Sequence, residues 1–486
     1  MPVPLIFTKS RPGRIGHDLL RPDVPTNPIE DLIPKRFLRT TAPRLPEMSE
    51  GEVVRHFVNL STMNHHIDKG MYPLGSCTMK YNPKVNELVA RLPGFAEAHP
   101  LAPAEACQGL LRLMSELEDL LCAITGFDGA TLQPPAGAAS ELTGLLVMRA
   151  YHRKKGNKKT HLALPDSAHG TNPASATLAG YTSVQIRSGS DGRLSVEALR
   201  AAVNDETAGL MVTNPNTLGL FETNIREIAE IIHSVDGLVY MDGANLNALL
   251  GIAKPAATGA DMCHINLHKT FSTPHGGGGP GGGCLAVRES LVPFLPVPRI
   301  EKDAEGCCYR WAWEKPDSIG KVHSFWGNVG MMVRAYTYIR MLGAEGLERV
   351  SRTAIVNANY LFSQIKDLFE TPYEGPYMHE FVVSGDRQKA KGVRTLDIAK
   401  RLLDFGVYAP TVYFPLIVSE ALMIEPTESE SKETIDEYAG ILRRIVTEID
   451  EEPATVLNAP HHTPVGRVDE VRAARQPDLR YRFEGT

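Results

Sequence analysis

Six short apolar runs alternate with helical stretches between about residues 130 and 290, and this alternation restricts the possible folds more than any other feature of the chain. The runs are His161-Leu-Ala-Leu-Pro, Thr182-Ser-Val-Gln-Ile, Gly209-Leu-Met-Val-Thr, Gly237-Leu-Val-Tyr-Met, His264-Ile-Asn-Leu and Cys284-Leu-Ala-Val. Runs that are apolar at nearly every position suit strands covered on both faces, so an α/β architecture is expected, with a mainly parallel sheet and helices on both sides. In such sheets ligands bind at the carboxyl ends of the strands. The polar residues just after each run are therefore the candidates for chemistry.

The flanks read differently. Leu110, Leu111, Leu113, Met114, Leu117, Leu120 and Leu121 recur at three- and four-residue steps and predict an amphipathic helix ending near Gly126. Residues 1–100, rich in Pro and polar side chains, show little periodicity and are expected to form an extended N-terminal arm. Residues 101–335 are then a large α/β domain. Residues 336–486 are a smaller α+β domain with an irregular tail from Glu451, and Phe381-Val-Val-Ser and Tyr413-Phe-Pro-Leu-Ile-Val are its candidate strands. A helical stretch spans about Gly330 to Leu347. A length of 486 residues exceeds the roughly 250–300 that one core supports, which also favours more than one packed unit.

A formal charge of -6 gives no overall electrostatic reason to bind nucleic acid or an anionic membrane. Seven cysteines, none in a C-x-x-C pair, make no disulfide framework and point to a reducing compartment. The N-terminus lacks the pattern of a secretory signal, and no apolar run reaches the roughly 20 residues that cross a bilayer. A cytoplasmic protein without a metal site is expected.

Three strand ends carry groups that a pyridine cofactor needs. Asp242 closes the run Leu238-Val-Tyr-Met, where a carboxylate could pair with a protonated ring nitrogen and keep the ring an electron sink. Alone, an Asp in this place is more often a turn or helix cap. Lys269 follows Cys263-His-Ile-Asn-Leu267 and precedes the run Gly276 to Gly283; a lysine that forms a Schiff base must be partly desolvated to be nucleophilic. A lone Lys is usually a solvated surface residue. His169, after Leu164-Pro-Asp-Ser-Ala, could stack on a planar ring or be a satisfied structural histidine.

Asn214, within Thr213-Asn-Pro-Asn-Thr217, could hydrogen-bond a cofactor hydroxyl, although Asn-Pro-Asn is also an ordinary turn. Gly137, Ala138 and Ala139 open an apolar helix whose free amide groups suit a phosphate, and a plain helix start fits these residues equally well. The glycine run satisfies G-x-G-x-x-G trivially and carries no dinucleotide signal.

Tyr72-Pro-Leu-Gly-Ser-Cys-Thr-Met-Lys80, Gln133-Pro-Pro-Ala-Gly137, Asn214-Pro-Asn-Thr-Leu-Gly-Leu-Phe-Glu222 and Asp242-Gly-Ala-Asn-Leu-Asn247 together resemble the glycine-cleavage P-protein family. So do Lys269 with its glycine run, Ser324-Phe-Trp-Gly-Asn328 and the stretch Phe414 to Glu428. The length resembles the lysine-bearing second subunit of the split, two-chain type. The resemblance implies fold type I of the pyridoxal-phosphate enzymes, with a seven-stranded sheet. It also implies the activity of an oxidoreductase, glycine dehydrogenase (aminomethyl-transferring, decarboxylating), with pyridoxal 5'-phosphate as cofactor.

Further implied are a partner subunit 1 in an assembly of two of each chain, and a lipoylated H-protein that accepts the aminomethyl group of glycine. By the same resemblance Lys269 forms the Schiff base, His169 stacks on the ring and Asp242 pairs with its nitrogen. Gly137, Ala138 and Ala139 form the phosphate cup, with His268 adjoining. Ala139 and Ser140 depart from the His-Gly or Ser-Gly usual before Glu141, and Trp326 replaces a common Tyr.

Rival readings are another fold type I decarboxylase or aminotransferase, because His268-Lys269 also resembles the lysine motif of amino-acid decarboxylases, and an α/β-hydrolase. The hydrolase reading rests on His275-Gly-Gly-Gly278, an oxyanion-loop match, but the G-x-S-x-G elbow is absent from the sequence.

Overall fold

The computed structural model describes residues 3–275, 281–303 and 305–483, so the segment 276–280 of the glycine run, and with it the hydrolase-like loop, lies outside the described residues. Two compact units divide the chain, residues 1–66 with 460–486, and residues 67–459.

The larger unit is built on the expected α/β sheet. All six apolar runs supply strands: β2 (His161–Pro165), β3 (Thr182–Ile186), β4 (Thr207–Thr213), β5 (Leu238–Gly243), β6 (Met262–Asn266) and β7 (Gly283–Val287). A seventh, β1 (Gly129–Thr131), is too short to show a sequence period. The order is β1-β7-β6-β5-β4-β2-β3, and β7 alone runs antiparallel to its neighbours.

Because side chains alternate across a strand, successive residues of one run feed opposite layers. Val239 and Met241 pack with Leu111 and Leu117, whereas Tyr240 between them packs with Leu145 and Met148. Each fully buried Leu of these layers contributes about 1.5–3 kcal/mol. This is why the central runs are apolar at most positions, whereas β3, at the edge of the sheet, is largely exposed and carries Thr182, Ser183 and Gln185.

The predicted amphipathic helix spans Gln108–Thr125 and ends on Gly126, whose φ of 83° is the left-handed conformation of a helix terminus. The stretch predicted from Gly330 is one helical element, Val329–Ile365, with a break at Gly343. Beyond it lies a three-stranded antiparallel sheet of β10 (Phe381–Ser384), β11 (Thr411–Val412) and β12 (Ala421–Ile424), preceded in the chain by the hairpin of β8 (Arg299–Lys302) and β9 (Tyr309–Ala312). Phe381-Val-Val-Ser is thus a strand. Tyr413 to Val418 is not: Tyr413 has φ 58° and Pro415 has no N–H to give to a ladder, so the strand forms later, at Ala421.

The segment Tyr72–Lys80 runs along β12. Leu74 bridges Ile424, and Gly75 N–H donates to the Met423 carbonyl at 3.3 Å. In the smaller unit the helix Glu50–Thr62 begins with a capping box of Ser49 and Glu52. There the two ends of the chain meet, Phe7 stacking on Tyr481 with ring centroids 4.5 Å apart. The tail includes a short helix, Glu470–Arg475, capped by Asp469.

Candidate active site

Asp242 ends β5 and His264 stands beside it in register on β6, with Asp242 Oδ1 3.3 Å from His264 Nε2. Both are buried, on the face shared with Tyr240, whose hydroxyl lies 3.0 Å from His264 Nδ1. Asp242 Oδ1 also accepts the N–H of Ala244 at 2.9 Å, and Oδ2 accepts Asn172 Nδ2 at 3.2 Å. Burial pushes this carboxyl up, but the neighbouring His264 and His169 more than offset it and hold Asp242 below its ordinary value. Glu141, which accepts from Thr171, Asn172 and Ser175, is pushed up by burial and then by the charge of Asp242. Of two adjacent buried carboxyls, Asp242 is the ionised one.

Glu141 belongs to the helix Gly137–Lys154, which opens at Gly137, Ala138 and Ala139. The first amide groups of a helix have no partner within it and present positive charge. Backbone packs closely here. A Cβ on Gly137 would lie 2.3 Å from Asn266 Oδ1, and one on Gly283 would lie 2.2 Å from Ser140 Oγ and 2.5 Å from the Ala136 carbonyl.

Lys269 lies on the four-residue helix Leu267–Thr270 that follows β6. Its Nζ donates to the Ser76 carbonyl at 2.8 Å, and Ser76 Oγ is 3.0 Å from His169 Nε2. His169 follows β2, stacks against Phe414 with centroids 5.5 Å apart, and is lowered by burial to about 4, so it is neutral at physiological pH. One serine therefore joins the lysine to the histidine.

Lysine, a neutral imidazole, an ionised carboxylate and a helix N-terminus, all at the carboxyl edge of one sheet, fit a phosphorylated pyridine aldehyde. Orphaned polar atoms fit as well: Asn214 Nδ2, Thr213 Oγ1 and Thr270 Oγ1 are buried without a hydrogen-bond partner.

Residues 22–312 match the family model described as glycine cleavage system P-protein, and residues 350–462 match that of the glycine dehydrogenase C-terminal domain. The chain belongs to the glycine cleavage system P-protein family. Two relatives named "probable glycine dehydrogenase (decarboxylating) subunit 2", from Chloroherpeton thalassium and Halalkalibacterium halodurans, are each 56% identical to it; they cover 99% and 98% of this chain and 98% of their own length.

Among solved structures, an inhibitor-bound glycine decarboxylase (P-protein) of the glycine cleavage system superposes with a TM-score of 0.73 at 20% identity, over 86% of this chain and 94% of that one. An apo cysteine desulfurase from Thermococcus onnurineus NA1 gives 0.59 at 16% identity, over 84% and 100%. These likenesses show that the chain has fold type I, as its sequence implied.

Lys269, His169 and Asp242 converge at the edge formed by β2, β5 and β6. Gly137, Ala138 and Ala139 open the adjoining helix. Asn214 faces two ways: Oδ1 accepts the N–H of Glu222 at 3.0 Å as part of a turn, and Nδ2 is left free. His268 turns to the glycine segment, Nδ1 lying 3.2 Å from the Gly282 carbonyl, and packs edge-on against His275 at 4.9 Å. Burial lowers these two imidazoles to about 4 and about 3.

The residue reading assigned no role to Ser76, Glu141, Asn172 or His264. Only His264 carries a local signal, a polar residue in the middle of a strand whose sole other polar position is its last, Asn266. Asn172 looks like any residue in the first turn of a helix, Thr171–Leu178.

Proposed function

We propose that this chain is the lysine-bearing subunit of a two-chain glycine dehydrogenase (decarboxylating), which removes the carboxylate of glycine as carbon dioxide and passes the aminomethyl group to a lipoyl disulfide. When bound, pyridoxal phosphate supplies the electron sink for the pair left when the bond between the glycine α-carbon and its carboxylate breaks. Lys269 holds the cofactor through its amine. Asp242, ionised and braced by His264 and Asn172, keeps a proton on the ring nitrogen. His169 covers one ring face, and Asn214 donates its free Nδ2 to the ring hydroxyl. Gly137, Ala138 and Ala139 receive the phosphate on backbone N–H groups, with His268 adjoining.

The transfer balances without a nicotinamide. The α-carbon bonds to one lipoyl sulfur, the sulfur–sulfur bond breaks, and the other sulfur leaves as a thiol with a proton from the medium. The disulfide is reduced as glycine is oxidised. The acceptor is the lipoylated H-protein, and subunit 1 completes an assembly of two chains of each kind. Seven cysteines, all free, suit a reducing cytoplasm; among the described residues no helix is long and apolar enough to cross a membrane. The same reading keeps 101–335 as the cofactor domain and 336–486 as the smaller domain; the separate sheets at β1–β7 and β10–β12 support the division up to residue 459, beyond which the chain belongs with residues 1–66.

One observation carries the assignment of roles: Lys269 and His169 both bind Ser76, at the sheet edge that holds an ionised Asp242. The test uses the purified assembly with its partner subunit. Label must exchange between bicarbonate and glycine only when lipoylated H-protein is present; transamination of a keto acid would instead favour an aminotransferase.

A further inference from the structure

Ser76 and Thr78 have φ of 67° and 47°, left-handed backbone that non-glycine residues hold only where their surroundings impose it. Two buried carboxylates impose it here. Ser76 N–H donates to Glu380 Oε2 at 2.7 Å, and Thr78 N–H donates to Glu425 Oε2 at 2.9 Å. Glu380 precedes β10 and Glu425 follows β12, so both come from the edge of the small sheet.

With the amide of Ser76 held by Glu380, its carbonyl accepts Lys269 Nζ and its hydroxyl meets His169. All three polar groups of one residue are committed. Any shift of the turn is passed directly to the lysine and the histidine.

His379 completes the cluster. It is fully buried, with Nε2 3.8 Å from Glu425 Oε1 and 4.0 Å from Glu380 Oε1, beyond hydrogen-bond reach of either. Neither of its ring nitrogens has a partner, and Glu425 Oε1 has none. Glu380 Oε1 accepts from Asn245 Nδ2 at 3.3 Å. The remaining charged or titratable groups acting on the cluster are Lys269, Cys77 and Glu428.

We propose that Glu380, Glu425 and His379 form a proton-sharing clamp that fixes the Ser76–Thr78 turn and so sets the poses of Lys269 and His169, acting as positioning residues for the proposed decarboxylation. The inference rests on the functional reading above. Two carboxylates so close and so buried cannot both be ionised cheaply. Burial, then the neighbouring Glu425 charge, raises Glu380 well above its ordinary value; burial raises Glu425 to about 7 and lowers His379 to about 3. A neutral imidazole beside carboxyls that share a proton satisfies these constraints together. When that proton is lost at alkaline pH, repulsion parts the carboxylates and frees the turn.

The experiment uses the holo two-chain assembly and follows amide exchange in the 72–80 peptide, the visible band of the bound cofactor, and kcat and KM for glycine–bicarbonate exchange. Wild type should keep amide protection through pH 7 and lose it only in the alkaline range where Glu380, raised well above its ordinary value, gives up the last proton, after correction for intrinsic rates. Glu380→Gln, which mimics the protonated acid and still offers an oxygen to Ser76 N–H, should keep protection and spectrum near wild type at pH 7 and weaken the alkaline loss. Glu380→Ala should raise exchange on the order of tenfold, move the visible band and lower kcat more than it raises KM.

Equal damage from the Gln and Ala variants would overturn the proton-sharing clamp, as would unchanged exchange in both. One tightly bound divalent ion per chain by metal analysis would also overturn it, since three such groups can ligate a cation. Loss of glycine–bicarbonate exchange in wild type, with the amide pattern intact, would strike the functional reading and leave the clamp standing.

Discussion

Asp242 and His264 stand shoulder to shoulder on adjacent parallel strands, carboxylate Oδ1 3.3 Å from imidazole Nε2, with almost no solvent exposure on either side chain. Such a pair fixes the direction and charge of the carboxylate before any ligand arrives. In Asp242→Asn the cofactor should still be trapped on Lys269 by borohydride, while exchange of label into glycine falls ~100-fold or more, the scale of losing one preorganised electrostatic partner. Peptide mass spectrometry and the exchange assay read the two effects separately. Lys269→Ala should abolish the trapped adduct, and an adduct persisting on another lysine would remove Lys269 from its role.

Close packing at the start of the helix Gly137–Lys154 makes a second prediction. The Cβ added in Gly283→Ala would press on the Ala136 carbonyl at 2.5 Å, which is backbone and cannot swing aside. Overpacking of this kind costs about 1–3 kcal/mol, here by displacing the helix terminus proposed to receive phosphate. Fluorescence titration should show weaker binding of pyridoxal phosphate with the fold retained by circular dichroism; unchanged affinity would detach that terminus from the phosphate.

Lys80 is buried and donates from Nζ to Glu428 Oε1 at 2.7 Å, Asn247 Oδ1 at 2.8 Å, the Thr270 carbonyl at 2.9 Å and Tyr338 OH at 3.2 Å. Thr270 adjoins Lys269, so this ion pair braces the short helix that bears Lys269. Lys80→Ala leaves Glu428 without its cation and should destabilise by about 3–5 kcal/mol in urea unfolding. Adding Glu428→Gln should recover part of that loss, and additive damage would argue against the coupling.

Buried carboxyls invert the usual alkaline behaviour. Burial raises Glu222 and Glu425 to about 7, above the 4.5 of an unperturbed Glu, so the folded chain binds these protons more tightly than the unfolded chain. Their stabilisation is present at low pH and is lost as pH rises through about 7. The histidines lowered to about 4, His169 and His268, oppose this only below their ordinary 6.5, where the unfolded chain takes up more protons. The urea midpoint should therefore fall from about pH 6.5, above which these histidines no longer oppose it, to about pH 7 and level off beyond, and a midpoint rising through that window would show that these carboxyls ionise freely in the fold.

The alternating runs were enough to place β2 to β7: a strand buried on both faces is apolar at both parities and conspicuous, and the exposed edge strand β3 was marked instead by its β-branched residues Thr182, Val184 and Ile186. They were also enough to nominate Asp242, Lys269 and His169, since the carboxyl ends of the strands are where ligands bind. Where local rules competed, the reading failed: Tyr413 to Val418 is apolar enough for a strand, but Pro415 and the left-handed Tyr413 exclude it from a ladder.

Ser76, Glu380 and Glu425 show the other limit. Ser76 lies 304 positions from Glu380, and Thr78 lies 347 from Glu425, so no window of sequence contains the contacts that hold the turn. The sequence by itself determined six of the seven strands of the large sheet, the helix Gln108–Thr125 and which strand ends carry reactive groups, because these follow from side-chain period and chain chirality. Only the tertiary structure decided that a serine in left-handed backbone joins Lys269 to His169, and that Asp242 rather than Glu141 bears the charge. Both depend on which distant groups exclude water together, and burial of that kind is a property of the assembled fold.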